Sequence, residues 1–192
     1  MAELRRTIPD AAAMHRFGVD LARTLQVGDL IVLTGPLGAG KTTLTRGLGE
    51  GLRVRGAVTS PTFVLARTHP SLVGGPPFVH VDAYRLSSAV ELDDLDIDFA
   101  HSIVVVEWGR GLLDGITESW LDIEIERPQG RLQATDAVAS GAEIDLDLDL
   151  DLDLDLDLDL DLDEPRTVTI TRHGPRWTDD ADSPIDGIPP QP

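Results

Sequence analysis

The feature that most constrains the fold is a glycine-rich segment that lies between an apolar run and a predicted helix. Residues 30–34 form an apolar run of strand length, Leu-Ile-Val-Leu-Thr, which is typical of a strand buried on both faces. The segment 35–40 contains three glycines, and leucines then recur at every fourth position along a helix predicted to begin at about Lys41. A strand, a tight loop and a helix in this order predict an α/β fold.

The glycine-rich segment matches the pattern G-x-x-x-x-G-K-[ST] at every fixed position. The matching residues are Gly35, Pro36, Leu37, Gly38, Ala39, Gly40, Lys41 and Thr42. Glycines allow backbone N–H groups to curl around a phosphate, and the positive N-terminal end of the following helix points at the same anion. Lys41, the only lysine of the chain, can reach the β- and γ-phosphates, and the Thr42 hydroxyl can bind Mg²⁺. The pattern therefore predicts a nucleoside triphosphate site.

Two acidic residues that end predicted buried strands are candidates for a second metal anchor. Asp82 follows the predicted strand residues 78–81, and Glu107 follows the apolar run 103–106. Ligands bind at the carboxyl ends of strands in open α/β sheets, so both acids are expected near the phosphate loop. One of them would hold Mg²⁺, directly or through water, and the other would orient the attacking water or accept its proton. The residues alone leave both assignments open.

The remaining patterns alternate helices and strands in the first half of the chain and contain mainly strands afterwards. They predict helices over 10–26 and 89–97, and strands over 78–82, 103–107, 120–126 and 166–171. Three glycines, at positions 47, 49 and 51, each cost a helix about 1 kcal/mol relative to Ala, so the helix from Lys41 is expected to be short or frayed. The predicted fold is a P-loop NTPase-type three-layer α/β sandwich. Its central sheet is mostly parallel, antiparallel strands come late in the chain, and 166–171 is an edge strand.

The formal net charge of −18 comes largely from one segment. Residues 145–163 alternate Asp and Leu, and Glu164 follows, so the segment holds 11 of the 34 acidic residues. As a helix it would have no apolar stripe, as a strand it would align ten like charges, and it lacks the Gly of a Ca²⁺-binding loop. We therefore expect a disordered low-complexity insertion over 128–165. The predicted domain covers 1–127 and 166–177, and the tail 178–192 is expected to be disordered.

The composition excludes several classes of protein. The acidic balance argues against a broad basic face for nucleic acid, and the absence of cysteine excludes disulfides and cysteine-based metal sites. The aliphatic runs are too short to span a bilayer, and the N-terminus lacks the apolar segment of a secretory signal. A cytoplasmic protein without membrane contact is expected. The five dispersed histidines lack ligand spacing and are interpreted as structural or exposed: His15, His69, His80, His101 and His173.

Five motifs occur in an order that resembles one family of proteins. They are the phosphate loop continued by Thr43, then Ser60-Pro61-Thr62-Phe63, His80-Val81-Asp82-Ala83-Tyr84-Arg85-Leu86, Glu91-Leu92 and Val106-Glu107-Trp108. Together they resemble the TsaE (YjeE-like) family of ATPases of tRNA threonylcarbamoyladenosine biosynthesis, over about 7–126 and the strand 166–171. The chain departs from the usual pattern at Pro36, where many members have Asp, and at Gly109, where Pro is common.

The resemblance implies a Mg²⁺-dependent ATPase. Its partner would be the complex of TsaB and TsaD proteins that transfers threonylcarbamoyl to adenosine 37 of tRNA, and it would meet tRNA only indirectly. By the same resemblance, residues 35–43 and Trp108 contact ATP, and Lys41 binds phosphate. Thr42 and Glu107 bind Mg²⁺, and Asp82 is needed for hydrolysis. Segment 60–63 would then act as a switch loop that distinguishes ATP from ADP.

Two alternatives remain open at the level of sequence. A small-molecule P-loop kinase uses the same loop but needs an acceptor pocket, often under a lid with several arginines. Only scattered arginines occur between 60 and 127, at positions 67, 85, 110 and 127. The second alternative is a nucleotide-dependent binding module in which hydrolysis is incidental.

Overall fold

The computed structural model describes residues 3–61, 63–113, 116–127, 164–177, 185 and 187–190. Within these ranges, seven strands form one mixed sheet in the order β1-β7-β6-β2-β5-β4-β3. The strands are β1 (Glu3–Ile8), β2 (Leu30–Thr34), β3 (Ala66–His69), β4 (Phe78–Asp82), β5 (Ile103–Glu107), β6 (Trp120–Glu126) and β7 (Arg166–His173). The helices are α1 (Ala11–Ala22), α2 (Lys41–Gly51) and α3 (Ala89–Asp93), and a 3₁₀ turn covers Pro175–Trp177.

The centre of the sheet is parallel, as predicted. Strand β2 pairs in parallel with β5 and β6, and β4 pairs in parallel with β5. Antiparallel strands flank this centre on both sides, with β3 beside β4 and the pair β7 and β1 beyond β6. The predicted fold class is confirmed, and the carboxyl ends of β2, β4, β5 and β6 lie at one edge of the sheet.

The prediction that 166–171 is an edge strand is wrong. Strand β7 lies between β6 and β1, and its pairing with β1 extends from Glu3 opposite Thr171 to Ile8 opposite Arg166. The sequence analysis did not predict β1, whose central residues are two arginines. The alternation of polar and apolar residues along β7 indicates only that one face of the strand is buried. Whether a strand lies at the edge of a sheet depends on how many neighbouring strands it pairs with, which this pattern does not show.

Helices α1 and α2 cover one face of the sheet. Helix α1 begins after Asp10, whose carboxylate accepts a hydrogen bond of 2.7 Å from the Ala13 N–H, and it ends at Ala22, earlier than predicted. Helix α2 runs through Gly51, so the expected fraying at its glycines is wrong. Gly47 packs against α1, where an added Cβ would lie 2.1 Å from the carbonyl oxygen of His15. The glycines therefore permit the two helices to approach closely.

The other face of the sheet is covered by α3 and the loops around it, which completes the three layers. Leu92 of α3 is fully buried in an apolar cluster with Val32, Val81 and Val104. Helix α3 is shorter than predicted because Asp96 has a positive φ of 51°, which a right-handed helix does not accommodate. No helix in the described ranges has the length and apolarity needed to cross a membrane.

The acidic insertion joins two adjacent antiparallel strands, β6 and β7. Its base is closed by an ion pair of 3.2 Å between Arg127 and Glu164. The predicted disorder of 128–165 concerns residues that lie almost entirely outside the described ranges. Most of the tail 178–192, predicted to be disordered, also lies outside the described ranges. Of its described residues, Ile185 and Ile188 are buried in the core cluster that includes residues of α1 and α2.

Candidate nucleotide-binding site

The candidate site lies where the carboxyl ends of β2, β4 and β5 meet the N-terminus of α2. Loop 35–40 connects β2 to α2, so the sequence between Thr34 and Lys41 has to turn sharply at the sheet edge. Asp82 and Glu107 are direct register partners at the ends of β4 and β5. The topology thus brings both predicted acids to the predicted phosphate loop.

The conformation of the loop requires glycine at its two ends. Gly35 has a φ of 152°, and a Cβ there would lie 2.4 Å from the carbonyl oxygen of Ile125 in β6. Gly40 has a φ of 105° and precedes α2 without a side-chain cap. Because no side chain caps the helix, its first N–H groups can face an anion. Pro36, Leu37 and Gly38 are exposed along the outer side of the loop, and Ala39 is buried.

Lys41 is held inside the loop rather than in solvent, with 5% of its surface exposed. Its Nζ donates hydrogen bonds of 2.9 and 3.0 Å to the carbonyl oxygens of Gly35 and Pro36. The same nitrogen lies 3.6 Å from the ring centroid of Trp108, a cation–π contact. Burial lowers the pKa of the Lys41 ammonium below its ordinary value, and the carboxylates of Glu107 and Asp82 oppose that shift.

Thr42 and Glu107, the two predicted metal ligands, are in direct contact. The Thr42 hydroxyl lies 3.2 and 3.3 Å from the two carboxylate oxygens of Glu107. A hydroxyl and a carboxylate are hard oxygen ligands of the kind that Mg²⁺ prefers, so the pair fits this ion. In the described part of the chain, no three His, Cys, Asp or Glu side chains converge on a metal position. A bound Mg²⁺ would thus take its other ligands from phosphate and water.

Asp82 connects the sheet edge to the predicted switch loop. Its carboxylate accepts a hydrogen bond of 3.3 Å from the Ser60 hydroxyl and one of 3.0 Å from the Tyr84 N–H. Pro61 is buried and Phe63 is 89% exposed, whereas Thr62 lies outside the described residues. Ser60 is therefore the described contact between segment 60–63 and the acid that the resemblance assigns to hydrolysis.

Trp108 and Thr43 lie at different places around the loop. Trp108 has a positive φ of 64° and donates its backbone N–H to Leu33 at 2.8 Å. Its ring packs edge-on against Tyr84, with 5.3 Å between the ring centroids, and contacts Lys41. Thr43 instead lines a small cleft with Asp10 and Met14, where the loop meets α1.

Two residues that the sequence analysis did not assign to the site contact Glu107. The Nε2 atom of His80 lies 2.8 Å from a carboxylate oxygen of Glu107, and both side chains are buried. The Thr45 hydroxyl is 3.5 Å from the same oxygen and donates to the Lys41 carbonyl at 3.0 Å. Spacing could have indicated both, because His80 is two residues before Asp82 on a strand and Thr45 is three after Thr42 on a helix.

Comparison with known proteins identifies the family of the chain. A family profile described as "Threonylcarbamoyl adenosine biosynthesis protein TsaE" matches residues 8–134. A protein of Streptomyces coelicolor named tRNA threonylcarbamoyladenosine biosynthesis protein TsaE is 61% identical over 120 residues, which are 61% of this chain and 81% of that protein. The protein of the same name from Mycobacterium bovis is 48% identical over 130 residues, 63% of this chain and 77% of that protein.

One solved structure shows the same fold. The crystal structure of YdiB from Bacillus subtilis matches with a TM-score of 0.58 and 23% sequence identity. The match covers 90% of this chain and 87% of that chain. The likeness extends to the architecture of the sheet and its helices.

Proposed function

Since the chain belongs to the TsaE family of tRNA threonylcarbamoyladenosine biosynthesis proteins, we propose that it is a Mg²⁺-dependent ATPase of that pathway. The observation that carries the proposal is the convergence of Lys41, Thr42, Asp82 and Glu107 at one edge of the sheet. These residues supply a cation for phosphate, two oxygen ligands for a metal and a second carboxylate beside them. A P-loop ATPase requires these groups together.

The proposed roles follow from what each group can bind. The N-terminus of α2 and the Lys41 ammonium would hold the β- and γ-phosphates. Thr42 and Glu107 would hold Mg²⁺, which supplies neutralisation of the charge that develops on the phosphates. Asp82 is a carboxylate at the adjoining strand end, so it can orient a water molecule for in-line attack or accept its proton. Trp108 would contact the nucleotide after Lys41 leaves its ring.

The complex of TsaB and TsaD proteins is the proposed partner, and tRNA would be met only through it. The side chains of Phe63, the last residue of the predicted switch loop, and Val64, which follows it, are 89% and 59% exposed. Ser60 connects that segment to Asp82, so a change at the γ-phosphate can reach an exposed apolar surface. The chain has a strong net negative charge, which opposes direct contact with tRNA phosphates. A cytoplasmic location belongs to the same proposal.

The test compares ATP turnover of purified variants, alone and with TsaB and TsaD. Lys41→Ala and Glu107→Gln are expected to lower turnover at least about 100-fold. The first removes the cation proposed to bind the phosphates, and the second removes the charged ligand proposed to hold Mg²⁺. Asp82→Asn should lower turnover but keep ATP binding, because Asp82 is assigned to the water and not to the phosphates. Glu126→Gln is the matched control, because Glu126 also ends a strand but lies exposed, paired with Arg5.

Wild-type turnover in the Lys41→Ala protein would contradict the proposal. ATP binding with negligible turnover in the presence of both partners would instead favour a nucleotide-dependent binding module. The same samples report tRNA modification, which should fall together with turnover in the Lys41 and Glu107 variants and stay unchanged in Glu126→Gln.

A further inference from the structure

We propose that His80 is a positioning residue that fixes the orientation of the Glu107 carboxylate toward Thr42. The inference rests on the proposed function only in taking Glu107 as a ligand of Mg²⁺. Its structural part, the hydrogen bond between the imidazole and the carboxylate, can be tested without nucleotide or metal.

The shortest described contact of the Glu107 carboxylate is the one with His80. The imidazole Nε2 lies 2.8 Å from Oε1, whereas the hydroxyls of Thr42 and Thr45 lie 3.2 to 3.5 Å from the carboxylate. Side-chain exposure is 0% for His80 and 4% for Glu107. A short, buried hydrogen bond to a charged group is stronger than one exposed to water, so His80 dominates the orientation of the carboxylate.

The backbone holds this contact in place. His80 pairs with Val105 in the parallel register of β4 and β5, and Asp82 pairs with Glu107. Residues 80 and 82 of one strand and 105 and 107 of the other project to the same face, so His80 and Glu107 are diagonal neighbours. Both strands are buried along their whole length, which leaves the imidazole little freedom to move away.

The imidazole has no other hydrogen-bond partner among the described residues. Its Nδ1 atom is buried and accepts or donates no hydrogen bond there. A carboxylate that binds a metal ion can only accept a hydrogen bond, so the proposal places the hydrogen of the imidazole on Nε2. A buried polar atom without a partner costs about 1–3 kcal/mol, a penalty that an apolar residue at this strand position would avoid. The contact with Glu107 is therefore what accounts for a histidine here.

Holding the carboxylate has a consequence for metal binding. Glu107 contacts the Thr42 hydroxyl with both oxygens, which places the two predicted ligands side by side. If His80 no longer held Oε1, the carboxylate could rotate away from Thr42 and the paired ligands would separate. Groups that orient a metal ligand typically change metal affinity by about 10–100-fold when they are removed. The loss of the His80 contact should therefore weaken metal binding more than nucleotide binding.

The test uses two substitutions that differ in reach. His80→Asn keeps a polar amide but is too short to contact Glu107, whereas His80→Gln places an amide N–H near the position of Nε2. Mn²⁺ is titrated by electron paramagnetic resonance into the full chain with a non-hydrolysable ATP analogue. His80→Asn is expected to weaken Mn²⁺ binding about tenfold and His80→Gln much less, while metal-free binding of the analogue stays unchanged.

His69→Asn is the matched control. His69 is a histidine of the neighbouring strand β3 with 4% exposure, and its described hydrogen bond is to the carbonyl of Arg55. A purely structural effect of a buried histidine would appear in both variants as a loss of stability. Equal Mn²⁺ affinity in wild type and folded His80→Asn would overturn the positioning role. Absence of Mn²⁺ binding in wild type would overturn the proposed function instead.

The tautomer of His80 supplies a readout that needs no ligand. Nuclear magnetic resonance of ¹⁵N-labelled protein is expected to show the hydrogen on Nε2 of His80, and His80→Gln assigns the signal by its loss. A neutral ring with its hydrogen on Nδ1 would remove the donor for Glu107 and overturn the inference, even if His80→Asn fails to fold.

Discussion

At the scale of the residue, Lys41 has conflicting requirements of stability and function. It is the only lysine of the chain, and its ammonium is almost fully buried between two loop carbonyls and the Trp108 ring. Burial disfavours the charged form and lowers the pKa, and nearby carboxylates restore only part of that loss. The residue proposed to bind phosphate is thus destabilising while no phosphate is bound.

Lys41→Met is expected to stabilise the fold while it abolishes nucleotide binding. Methionine fills the same channel without a buried charge, and water can hydrogen-bond the exposed carbonyl of Pro36. The thermal midpoint near pH 7 should rise by about 2–4 °C, the shift that about 1 kcal/mol produces in a domain of this size. The measurement is thermal unfolding by circular dichroism, and a midpoint below that of wild type would contradict the prediction.

The stabilisation by Lys41→Met should depend on pH in a defined direction. The folded-state pKa of Lys41 is lowered from 10.5, so the unfolded chain binds more protons than the folded protein between these two values. The free energy of unfolding of wild type therefore rises with pH across that window, a rise that the methionine variant lacks. The advantage of Lys41→Met should be full below the folded-state pKa and shrink as the pH approaches 10.5.

At the scale of the element, glycine stabilises the packing of α1 against α2, although it has a low intrinsic helix propensity. Gly18 of α1 and Gly47 of α2 face each other, and a Cβ at Gly18 would lie 2.4 Å from the carbonyl oxygen of Leu44. Backbone therefore packs directly on backbone between the two helices. This contact positions the N-terminus of α2, and with it the phosphate loop, relative to the sheet.

Gly47→Ala should destabilise the protein, although Ala is the better helix former. Propensity alone predicts a gain of about 1 kcal/mol, but the new Cβ would lie 2.1 Å from the carbonyl oxygen of His15 and force the helices apart. Such overpacking costs about 1–3 kcal/mol, so we expect a net loss in urea unfolding. Gly75→Ala is the control, because its Cβ would meet only the Ser71 side chain at 3.4 Å. A higher free energy of unfolding for Gly47→Ala than for wild type would contradict the close approach of α1 and α2 at this position.

At the scale of the whole molecule, an ion pair connects the 3₁₀ turn that follows β7 to the residue that precedes β2. Arg176 donates to both carboxylate oxygens of Asp29, at 3.0 and 3.2 Å, and to the Thr24 carbonyl at 3.1 Å. Asp29 is buried, and this burial raises the pKa of its carboxyl above the ordinary value although Arg176 opposes the shift. The contact joins residues 147 positions apart and closes the domain beyond the acidic insertion.

Arg176→Ala is expected to lower the free energy of unfolding by about 3 kcal/mol, because it leaves the buried carboxylate of Asp29 without its cation. Arg23→Ala is the matched control. The Arg23–Asp20 bond is shorter, 2.7 Å, but the Arg23 side chain is 71% exposed, so its loss should cost less than about 1 kcal/mol. If chemical denaturation shows equal losses in the free energy of unfolding for Arg176→Ala and Arg23→Ala, burial does not govern how much the Arg176 ion pair stabilises the protein.

Much of the fold and of the candidate site could be predicted from local patterns. Strands β2, β4 and β5 are mainly apolar, and β4 and β5 end at Asp82 and Glu107, so the bounds of the strands and the positions of both acids could be predicted from the chain itself. His80 and Thr45 escaped prediction, although the spacing of each from a predicted site residue places it on the same face of its strand or helix. Each touches Glu107 only because distant segments meet at the sheet edge.

The candidate phosphate loop could be predicted from the chain alone, because Gly40, Lys41 and Thr42 are consecutive and Gly35 and Gly38 lie within the same short pattern. The parallel centre of the sheet could also be predicted, from the alternation of helices and strands in the first half of the chain. Three features required the three-dimensional structure: β1 and not β7 forms the edge, Gly47 and Gly51 of α2 pack against α1, and His80 contacts Glu107. These features depend on which distant segments of the chain become neighbours. Periodicity along the chain predicts a helix or a strand and the face that it buries, but it does not predict which other element packs against that face.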